Sequence, residues 1–334
     1  MRRRSGFSKD SEDFRVDTCE PLKRAATSGD VRLEALGRGS YPGQRLPDDD
    51  LPELRMVGWW DAHTAQNWGL DWHCNEGIEI GYLSAGRLPF AVGDRTLEVV
   101  PGGVTITRPW QRHRVGDPTV PACHYSWLIL DLGVCRPNQP WQWPAWVLLS
   151  PAVLNRLTDT LRHNEQPVWQ ADAELGLCFA RLDQAVGSGT GEANLTRLKI
   201  LINDLLLRLA ELLESNRPAL DRKLSGSERT VRLFIEALDD RLDEPWTLES
   251  MAEACGLGRT RFAAYCRRIT NGSPVEHLTA RRLRKAAELL ANQPTLPVTE
   301  IAFRCGFQSS QYFARVFRHR YGHPPSRFRD QPHS

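Results

Sequence analysis

The sequence of 334 residues predicts an α+β protein in which a small antiparallel β-barrel precedes a helical C-terminal region. Short apolar runs between Met56 and Leu132 predict the barrel, because they recur about every ten residues and are separated by Gly, Pro and Asp turns. A local pattern that occurs twice, at a constant offset of 50 residues, predicts the helical region. Charge separates the two parts: between Arg259 and Arg329, 14 Lys and Arg accompany three acids, whereas the whole chain carries a net charge of only +2.

Composition limits the class of protein and its compartment. Eight cysteines occur without a C-x-x-C pair, which predicts reduced thiols in a cytoplasmic protein. The basic N-terminus, Met1 to Phe7, is not followed by an apolar run and does not resemble a signal peptide. No segment approaches the roughly 18 apolar residues that cross a bilayer. We therefore expect a soluble, cytoplasmic protein with no membrane partner.

Changes in composition along the chain predict five segments. Residues 1–50 are expected to form a polar N-terminal tail, disordered to about residue 16, then a short helical segment between Cys19 and Leu36 and an extended segment. The others are a β-barrel (51–147), a helical dimerisation region (148–215), a polar linker containing Pro, Gly and Ser (216–227) and a helical domain (228–330).

The predicted barrel resembles a cupin, a small barrel that holds a ligand in its interior. Glu79 lies seven residues before Gly86, and a segment that ends at His113 has the spacing of a second cupin motif, with Pro101 and Gly103 inside it. The resemblance implies that the interior of this domain is a binding site.

Cupins often bind a metal ion through histidines and a glutamate. The resemblance assigns three side chains to such positions: His73, Glu79 and His113. A further histidine is expected where Cys74 or Asn75 stands, and Glu76 is an alternative to Glu79. Cys, His and Glu can all ligate zinc or iron. The interpretation that we favour is an organic effector, bound without a metal or any other cofactor.

Tryptophans are concentrated in the predicted barrel and just beyond it. Ten of the eleven lie between Trp59 and Trp169. Indole rings stack on the apolar faces of sugars while polar groups orient the hydroxyls, so the group favours a carbohydrate effector. For any single tryptophan, a place in the core is the alternative. The predicted effector-binding residues are His73, Glu79, His113, Trp72 and Trp110.

The segment from Ala193 to Glu214 predicts a long amphipathic helix. Six apolar residues recur at intervals of three and four, the spacing of a coiled-coil seam: Leu195, Leu198, Ile202, Leu205, Leu209 and Leu212. This seam predicts a homodimer. Further leucines widen the apolar face, so packing of this helix against the barrel is the alternative.

Each copy of the repeated pattern predicts a helix, a tight turn and a second helix. The matched residues are Ala252, Cys255 and Gly256 in the first copy and Ala302, Cys305 and Gly306 in the second. Glycine readily adopts the left-handed conformation that ends a helix. The second helices, predicted from Arg259 to Thr270 and from Ser310 to Arg320, bury apolar residues on one side and expose small and basic residues on the other. Such a helix-turn-helix fits the major groove of DNA.

The exposed sides of the two second helices supply the predicted DNA contacts. The base contacts are predicted at Thr260, Arg261, Ser310, Gln311 and Arg315. The phosphate contacts are predicted at Arg267, Arg268, Ser309, Arg318 and His319. The alternative is a solvated helical hairpin, and the presence of two complete copies with a net charge of +11 argues against it.

The C-terminal region resembles the DNA-binding domain of the AraC/XylS family of transcription regulators. The segment G-F-Q-S-S-Q-Y-F-A-R-V-F-R-H-R-Y-G-H-P-P, Gly306 to Pro325, resembles the signature of that family, and Val275 to Ala291 corresponds to its linking helix. Ala263 and Ala264 stand where longer polar side chains are common in the family. The resemblance implies a regulator, not an enzyme, that binds double-stranded DNA under the control of a small-molecule effector. The alternatives are a metal-dependent cupin enzyme fused to a DNA-binding domain and a DNA-binding protein without an effector.

Overall fold

The computed structural model of the chain describes residues 19–47, 49–75, 77–134, 136–293 and 295–329. The described residues divide into two compact units, with the boundary between Gly226 and Ser227. The tail that was expected to be disordered, residues 1 to 16, lies outside the described residues. Strands in the first unit and helices in the second confirm the predicted α+β class.

The first unit contains ten described strands in two sheets. The strands are β1 (Arg32–Gly37), β2 (Gln44–Arg45), β3 (Leu54–Ala62), β4 (Ile78–Gly86), β5 (Leu88–Val92), β6 (Arg95–Val99), β7 (Gly103–Thr107), β8 (His113–Val115), β9 (Cys123–Leu130) and β10 (Val168–Gln170). One sheet has the order β10-β7-β4-β9-β3-β1-β2 and the other the order β6-β5-β8. Residues of both sheets, including Leu83, Phe90 and Tyr125, share one apolar cluster, so the core of the unit lies between the sheets.

The large sheet extends beyond the predicted barrel, residues 51–147. Strand β1 pairs with β3 in antiparallel register from Arg32 opposite Asp61, and helix α1 (Glu20–Ser28) buries Leu22 and Ala25 in the core. Strand β10 pairs with β7 from the other side. Helix α1 lies within the short helical segment expected from Cys19 to Leu36, whereas strands β1 and β2 were not predicted. The apolar residues of these strands are too few to indicate a strand in the sequence, and pairing across the sheet decides their place.

Three helices complete the first unit: α2 (Pro151–His163), α3 (Ala173–Val186) and α4 (Glu192–Asn216). The predicted dimer seam lies on α4, and it is not available to a second chain. Leu198, Ile202, Leu205 and Leu209 have no exposed surface within the single chain, because α4 packs against α2 and α3. The predicted role of these residues in a dimer interface is therefore corrected. The apolar face is wide enough to be covered by the chain's own helices.

The second unit is helical. Its described helices are α5 (Ser227–Glu236), α6 (Leu248–Ala254), α7 (Arg259–Thr270), α8 (Pro274–Asn292), α9 (Val298–Arg304), α10 (Ser310–Tyr321) and α11 (Pro325–Arg329). Two separate apolar cores form, one around Phe262 and the other around Phe313 and Phe317. Helix α8 contributes Leu278 to the first core and Leu283 to the second, so it joins two helix-turn-helix modules into one unit.

Local sequence signals set the ends of the helices in both modules. Thr247 and Ser250 form a capping box at the start of α6, and Ser309 accepts a hydrogen bond from the backbone N–H of Tyr312 at the start of α10. Gly256 and Gly306 have positive φ angles of 63° and 82° and turn the chain between the paired helices. The predicted helix-turn-helix pattern is confirmed in both copies.

No helix among the described residues combines the length and the hydropathy that a membrane span requires.

Candidate functional site

Helix α7 presents the predicted contacts of the first module to solvent. Thr260, Arg261, Arg267 and Arg268 are all exposed, on the side opposite the buried Phe262. The Arg261 guanidinium lies 5.7 Å and the Arg268 guanidinium 5.1 Å from the centre of the Tyr265 ring. Arg268 also pairs with Glu228, a contact that competes with its predicted role at a phosphate.

Helix α10 presents a matching surface in the second module. Gln311, Arg315, Arg318 and His319 are exposed, and Ser309 and Ser310 are partly exposed at the start of the helix. The hydroxyl of Ser309 donates to Oε1 of Gln311 at 2.9 Å, and that of Ser310 donates to the same atom at 3.3 Å. The carbonyl end of the Gln311 amide is therefore held at the helix N-terminus. The structure places all ten predicted DNA-contacting residues on or next to the two second helices.

Each second helix also carries a tyrosine that was not predicted to belong to the surface. Tyr265 lies beneath two arginines of α7, and the Arg315 guanidinium lies 5.3 Å from the centre of the Tyr312 ring on α10. A cation over an aromatic ring is attracted by the ring electrons, so these tyrosines restrict the arginine side chains. The spacing of Tyr and Arg by three or four residues on one helix is the sequence signal that would have identified them.

Two arginines of the linking helix α8 stabilise the fold. Arg282 donates to the backbone carbonyls of Leu242 at 2.8 Å and Glu244 at 2.6 Å, and Arg281 pairs with the carboxylate of Asp239. Both side chains therefore have partners within the protein.

The first unit encloses a cavity of about 20 Å³ between its sheets. Its lining combines aromatic and polar side chains: Tyr41, Trp60, His73, Asn75, Glu79, Tyr125 and Trp127, together with aliphatic residues. Gly81 makes room for this lining, because a Cβ atom there would lie 1.8 Å from the Tyr125 hydroxyl. That hydroxyl is hydrogen-bonded to Thr105 at 2.7 Å.

Three of the predicted effector-binding residues meet beside the cavity. His73, Glu79 and His113 are buried, and their nitrogen and carboxylate atoms lie within 4.8 Å of one another. His113 Nε2 lies 2.9 Å from Glu79 Oε2, and the Asn75 amide donates to the same oxygen. Burial raises the pKa of the Glu79 carboxyl, but the charge and hydrogen bond of His113 and the charge of His73 lower it more. The pKa of Glu79 therefore lies below its ordinary value.

The two tryptophans predicted for the effector site do not line the cavity. Trp72 is half-buried beneath the Arg112 guanidinium, which lies 4.9 Å from its ring centre. Trp110 is buried, and its indole N–H donates to the Val134 carbonyl at 2.9 Å. Trp60 and Trp127 line the cavity instead. The alternative ligand Glu76 lies outside the described residues.

Comparison with protein families matches each unit to one model. Residues 62–210 match the AraC-like ligand binding domain, and residues 251–331 match a helix-turn-helix domain. The proteins that this chain matches are transcription regulators, not enzymes. By these matches the chain belongs to the AraC/XylS family.

Individual relatives match only part of this chain. The HTH-type transcriptional regulator AlkR of Acinetobacter baylyi is 33% identical over 27% of this chain and 29% of its own length. The HTH-type transcriptional activator RhaS of Escherichia coli is 28% identical over 44% of this chain and 50% of its own. The chain thus spans half or less of the length of these curated relatives. The C-terminal domain of AraT from Geobacillus stearothermophilus is 30% identical over 33% of this chain and 88% of that structure, with a TM-score of 0.30.

Proposed function

We propose that this protein regulates transcription by binding double-stranded DNA through α7 and α10. The observation that carries the proposal is that two helix-turn-helix modules in one unit each present exposed arginines supported by a tyrosine. Arginine donates two hydrogen bonds to guanine and glutamine pairs with adenine, so Arg261, Gln311 and Arg315 are suited to read bases in the major groove. In this arrangement the two helices would occupy groove segments about 34 Å apart, one turn of the duplex.

Selection of DNA sequences from a random pool by the full chain tests this proposal. We expect a recovered site with two conserved segments about one helical turn apart. A variant carrying both Arg261→Ala and Arg315→Ala should bind without sequence preference. A matched variant with Arg304→Ala, which removes one exposed charge from α9 outside the second helices, should retain the preference. Recovery of unrelated sequences by the native chain would refute the assignment.

We further propose that a small polar effector binds in the first unit, with a carbohydrate as the class that the tryptophan content favours. Trp60 and Trp127 offer apolar ring faces and Glu79 offers a carboxylate in the same cavity. Small-molecule pockets usually have volumes of about 300–1,000 Å³. The cavity of about 20 Å³ is much smaller, so a sugar would enter only when lining side chains move.

We also propose that the protein acts as a homodimer, through a surface other than the predicted seam. Leu177 on α3 and Ile200 and Leu207 on α4 are exposed, with exposed fractions of 48%, 60% and 41%. These two helices pack against each other, so the three side chains belong to the outer side of one helical pair. A second copy of the chain would cover them.

A further inference from the structure

We propose that His73, Glu79 and His113 bind a divalent first-row transition metal ion, such as Zn²⁺ or Fe²⁺, in the first unit. The three ligand atoms lie within 4.8 Å of one another, and the side chains have exposed fractions of only 4%, 7% and 0%. Two imidazoles and one carboxylate suit these ions, whereas Mg²⁺ and Ca²⁺ prefer oxygen ligands. The proposal concerns metal binding alone and does not depend on the proposed DNA binding.

The fold holds both imidazole rings by the same device. His73 Nδ1 lies 2.7 Å from the carbonyl oxygen of Asp71, and His113 Nδ1 lies 2.8 Å from that of Gln111. A carbonyl oxygen only accepts hydrogen bonds, so each Nδ1 carries a proton and, in the neutral ring, Nε2 carries the lone pair. Histidines that ligate metals are commonly fixed in this way by a backbone carbonyl at the other nitrogen.

Backbone pairing also brings the two histidines together. His73 and His113 exchange two backbone hydrogen bonds of 3.0 Å, and their ring centres are 4.1 Å apart. A loop residue 40 positions upstream is thereby fixed against the start of β8. This pairing holds the two imidazoles together without an ion.

The contact between His113 and Glu79 requires a cation. With the proton on Nδ1, Nε2 of His113 and Oε2 of Glu79 are both electron-pair donors, yet they lie 2.9 Å apart. Either a proton lies between the two atoms, on Nε2 or on Oε2, or a metal ion accepts both lone pairs. Metal–ligand bonds of about 2.0–2.2 Å separate neighbouring ligand atoms by about 3–3.5 Å, so the contact between His113 and Glu79 is already short enough, and the other ligand atoms, which lie within 4.8 Å, would move closer around an ion.

Two buried oxygen atoms beside the cluster support the metal over the proton. Asn75 Oδ1 and Thr107 Oγ1 have no hydrogen-bond partner among the described residues. Asn75 has an exposed fraction of 1%, and its side-chain amide donates to Glu79. Thr107 lies directly opposite Glu79 in the pairing of β4 with β7, so the two side chains share a face. Buried polar atoms of this kind usually have a partner, and a hydrated ion would supply one.

The adjoining cavity has room for the remaining coordination. Its volume of about 20 Å³ is sufficient for about one water molecule, and His73, Asn75 and Glu79 line it. A metal site with three protein ligands keeps a further position for water or another small ligand. The size of the cavity therefore suits a hydrated ion, whereas a sugar requires the lining to move.

Titration of the full chain with Co²⁺ and Zn²⁺ tests the proposal. After treatment with a chelator, the native chain should bind a single Co²⁺ ion with visible absorption bands of a nitrogen- and oxygen-ligated site, and Zn²⁺ should displace it. Glu79→Gln and His113→Gln should each weaken Zn²⁺ binding by at least about 100-fold, and Asn75→Ala by about 10- to 100-fold. His124→Gln serves as the matched control, since His124 belongs to the same unit but pairs with Asp183.

Thermal unfolding of each variant without metal separates loss of a ligand from loss of the fold. Glu79→Gln preserves the size of the side chain and remains informative if His113→Gln does not fold. Absence of saturable metal binding by the native chain, or equal Zn²⁺ affinity in the Glu79→Gln variant, would overturn the proposal. DNA binding measured on the same samples reports independently on the proposed function, because it requires α7 and α10 and not this cluster.

Discussion

At the scale of single residues, the second helices combine an arginine with an aromatic support. Arg315 lies over the Tyr312 ring, and Arg261 lies over Tyr265 in the corresponding helix of the first module. An arginine held over a ring samples fewer conformations than an arginine in open solvent, so it loses less entropy when it binds a base. These pairs are the strongest indication of which side chains read DNA.

Removal of Arg315 should alter recognition at one position of the DNA site. We expect Arg315→Ala to cost about 1–3 kcal/mol of binding free energy at a single base pair if the guanidinium contacts guanine with two hydrogen bonds. Fluorescence anisotropy with a set of single-base variants of the selected site measures this effect. A uniform loss over all variants would instead identify Arg315 as a phosphate contact.

Alanine substitutions at the turn glycines Gly306 and Gly322 distinguish the cost of a left-handed backbone from the cost of a steric clash. Both have positive φ, of 82° and 79°, but a Cβ atom at Gly306 would lie 2.0 Å from the Leu242 carbonyl oxygen, whereas nothing lies within 4 Å at Gly322. Gly322→Ala should destabilise the unit by about 1–2 kcal/mol from the left-handed backbone alone.

Gly306→Ala should cost a further 1–3 kcal/mol or so, because the added methyl group forces Leu242 and Arg282 to move. Chemical denaturation of both full-length variants measures the difference. Equal destabilisation would show that the close approach to Leu242 is relieved without cost.

At the scale of elements, α4 shows that one apolar stripe is compatible with two kinds of packing, against a second chain or within the same unit. The heptad spacing of its leucines is equally suited to a second chain and to neighbouring helices. The structure uses the stripe inside the unit, where Ile202 and Leu209 are fully buried, and leaves Ile200 and Leu207 outside. The surface available for dimerisation is therefore narrower and more polar than the seam.

A charge placed on either side of α4 distinguishes the core from the proposed dimer surface. Ile202→Glu buries an unpaired carboxylate and should destabilise the first unit by several kcal/mol. Ile200→Glu alters a side chain with an exposed fraction of 60% and should leave the fold intact. Analytical ultracentrifugation together with thermal unfolding measures both effects. We expect Ile200→Glu to be a folded monomer, and a dimer of unchanged strength would exclude this surface.

At the scale of the whole molecule, the net positive charge is concentrated in the segment that would meet DNA. The segment from Arg259 to Arg329 carries +11, and the rest of the chain carries −9. An acidic remainder limits unspecific attachment of the first unit to nucleic acid. The uneven distribution also predicts strong salt dependence, since each neutralised phosphate releases a counterion.

The affinity of the full chain for its selected DNA site should therefore fall steeply with salt. If six to ten phosphates are contacted, the binding constant should decrease by about 10³- to 10⁵-fold between 50 and 200 mM salt. Titrations at several salt concentrations give the slope. Variants Arg267→Ala and Arg318→Ala should each reduce the magnitude of that slope by about 1, the contribution of one phosphate contact. A slope near zero for the native chain would rule out binding through the arginines of α7 and α10.

An effector that enters the first unit should change DNA affinity, and DNA should change effector affinity by the same factor. This reciprocity is a thermodynamic requirement for two coupled binding sites. Trp60 and Trp127 line the cavity, so binding should alter tryptophan fluorescence in a screen of sugars and small acids. Glu79→Gln should weaken any hit. A ligand that binds without altering DNA affinity would separate binding from regulation.

The sequence by itself determined the two helices that form the proposed DNA-binding surface. Helix periods, capping residues and turn glycines are local signals, so the bounds of α7 and α10 and the exposed faces of both helices follow from residues a few positions apart. The repeat at an offset of 50 made the same prediction twice. The cluster of His73, Glu79 and His113 was also predictable, but only because their spacing matched a known motif.

Only the tertiary structure decided matters that depend on distant pairing. Strand β1 belongs to the sheet because it pairs with β3, and the apolar stripe of α4 is buried because α2 and α3 pack against it. Arg282 meets the carbonyl of Leu242, 40 residues away, through a contact that no local pattern records. The physical reason is the same in each case. The sequence shows that an apolar side chain will be buried or that a charged side chain will be paired, but only the fold of the whole unit determines which residue lies next to it.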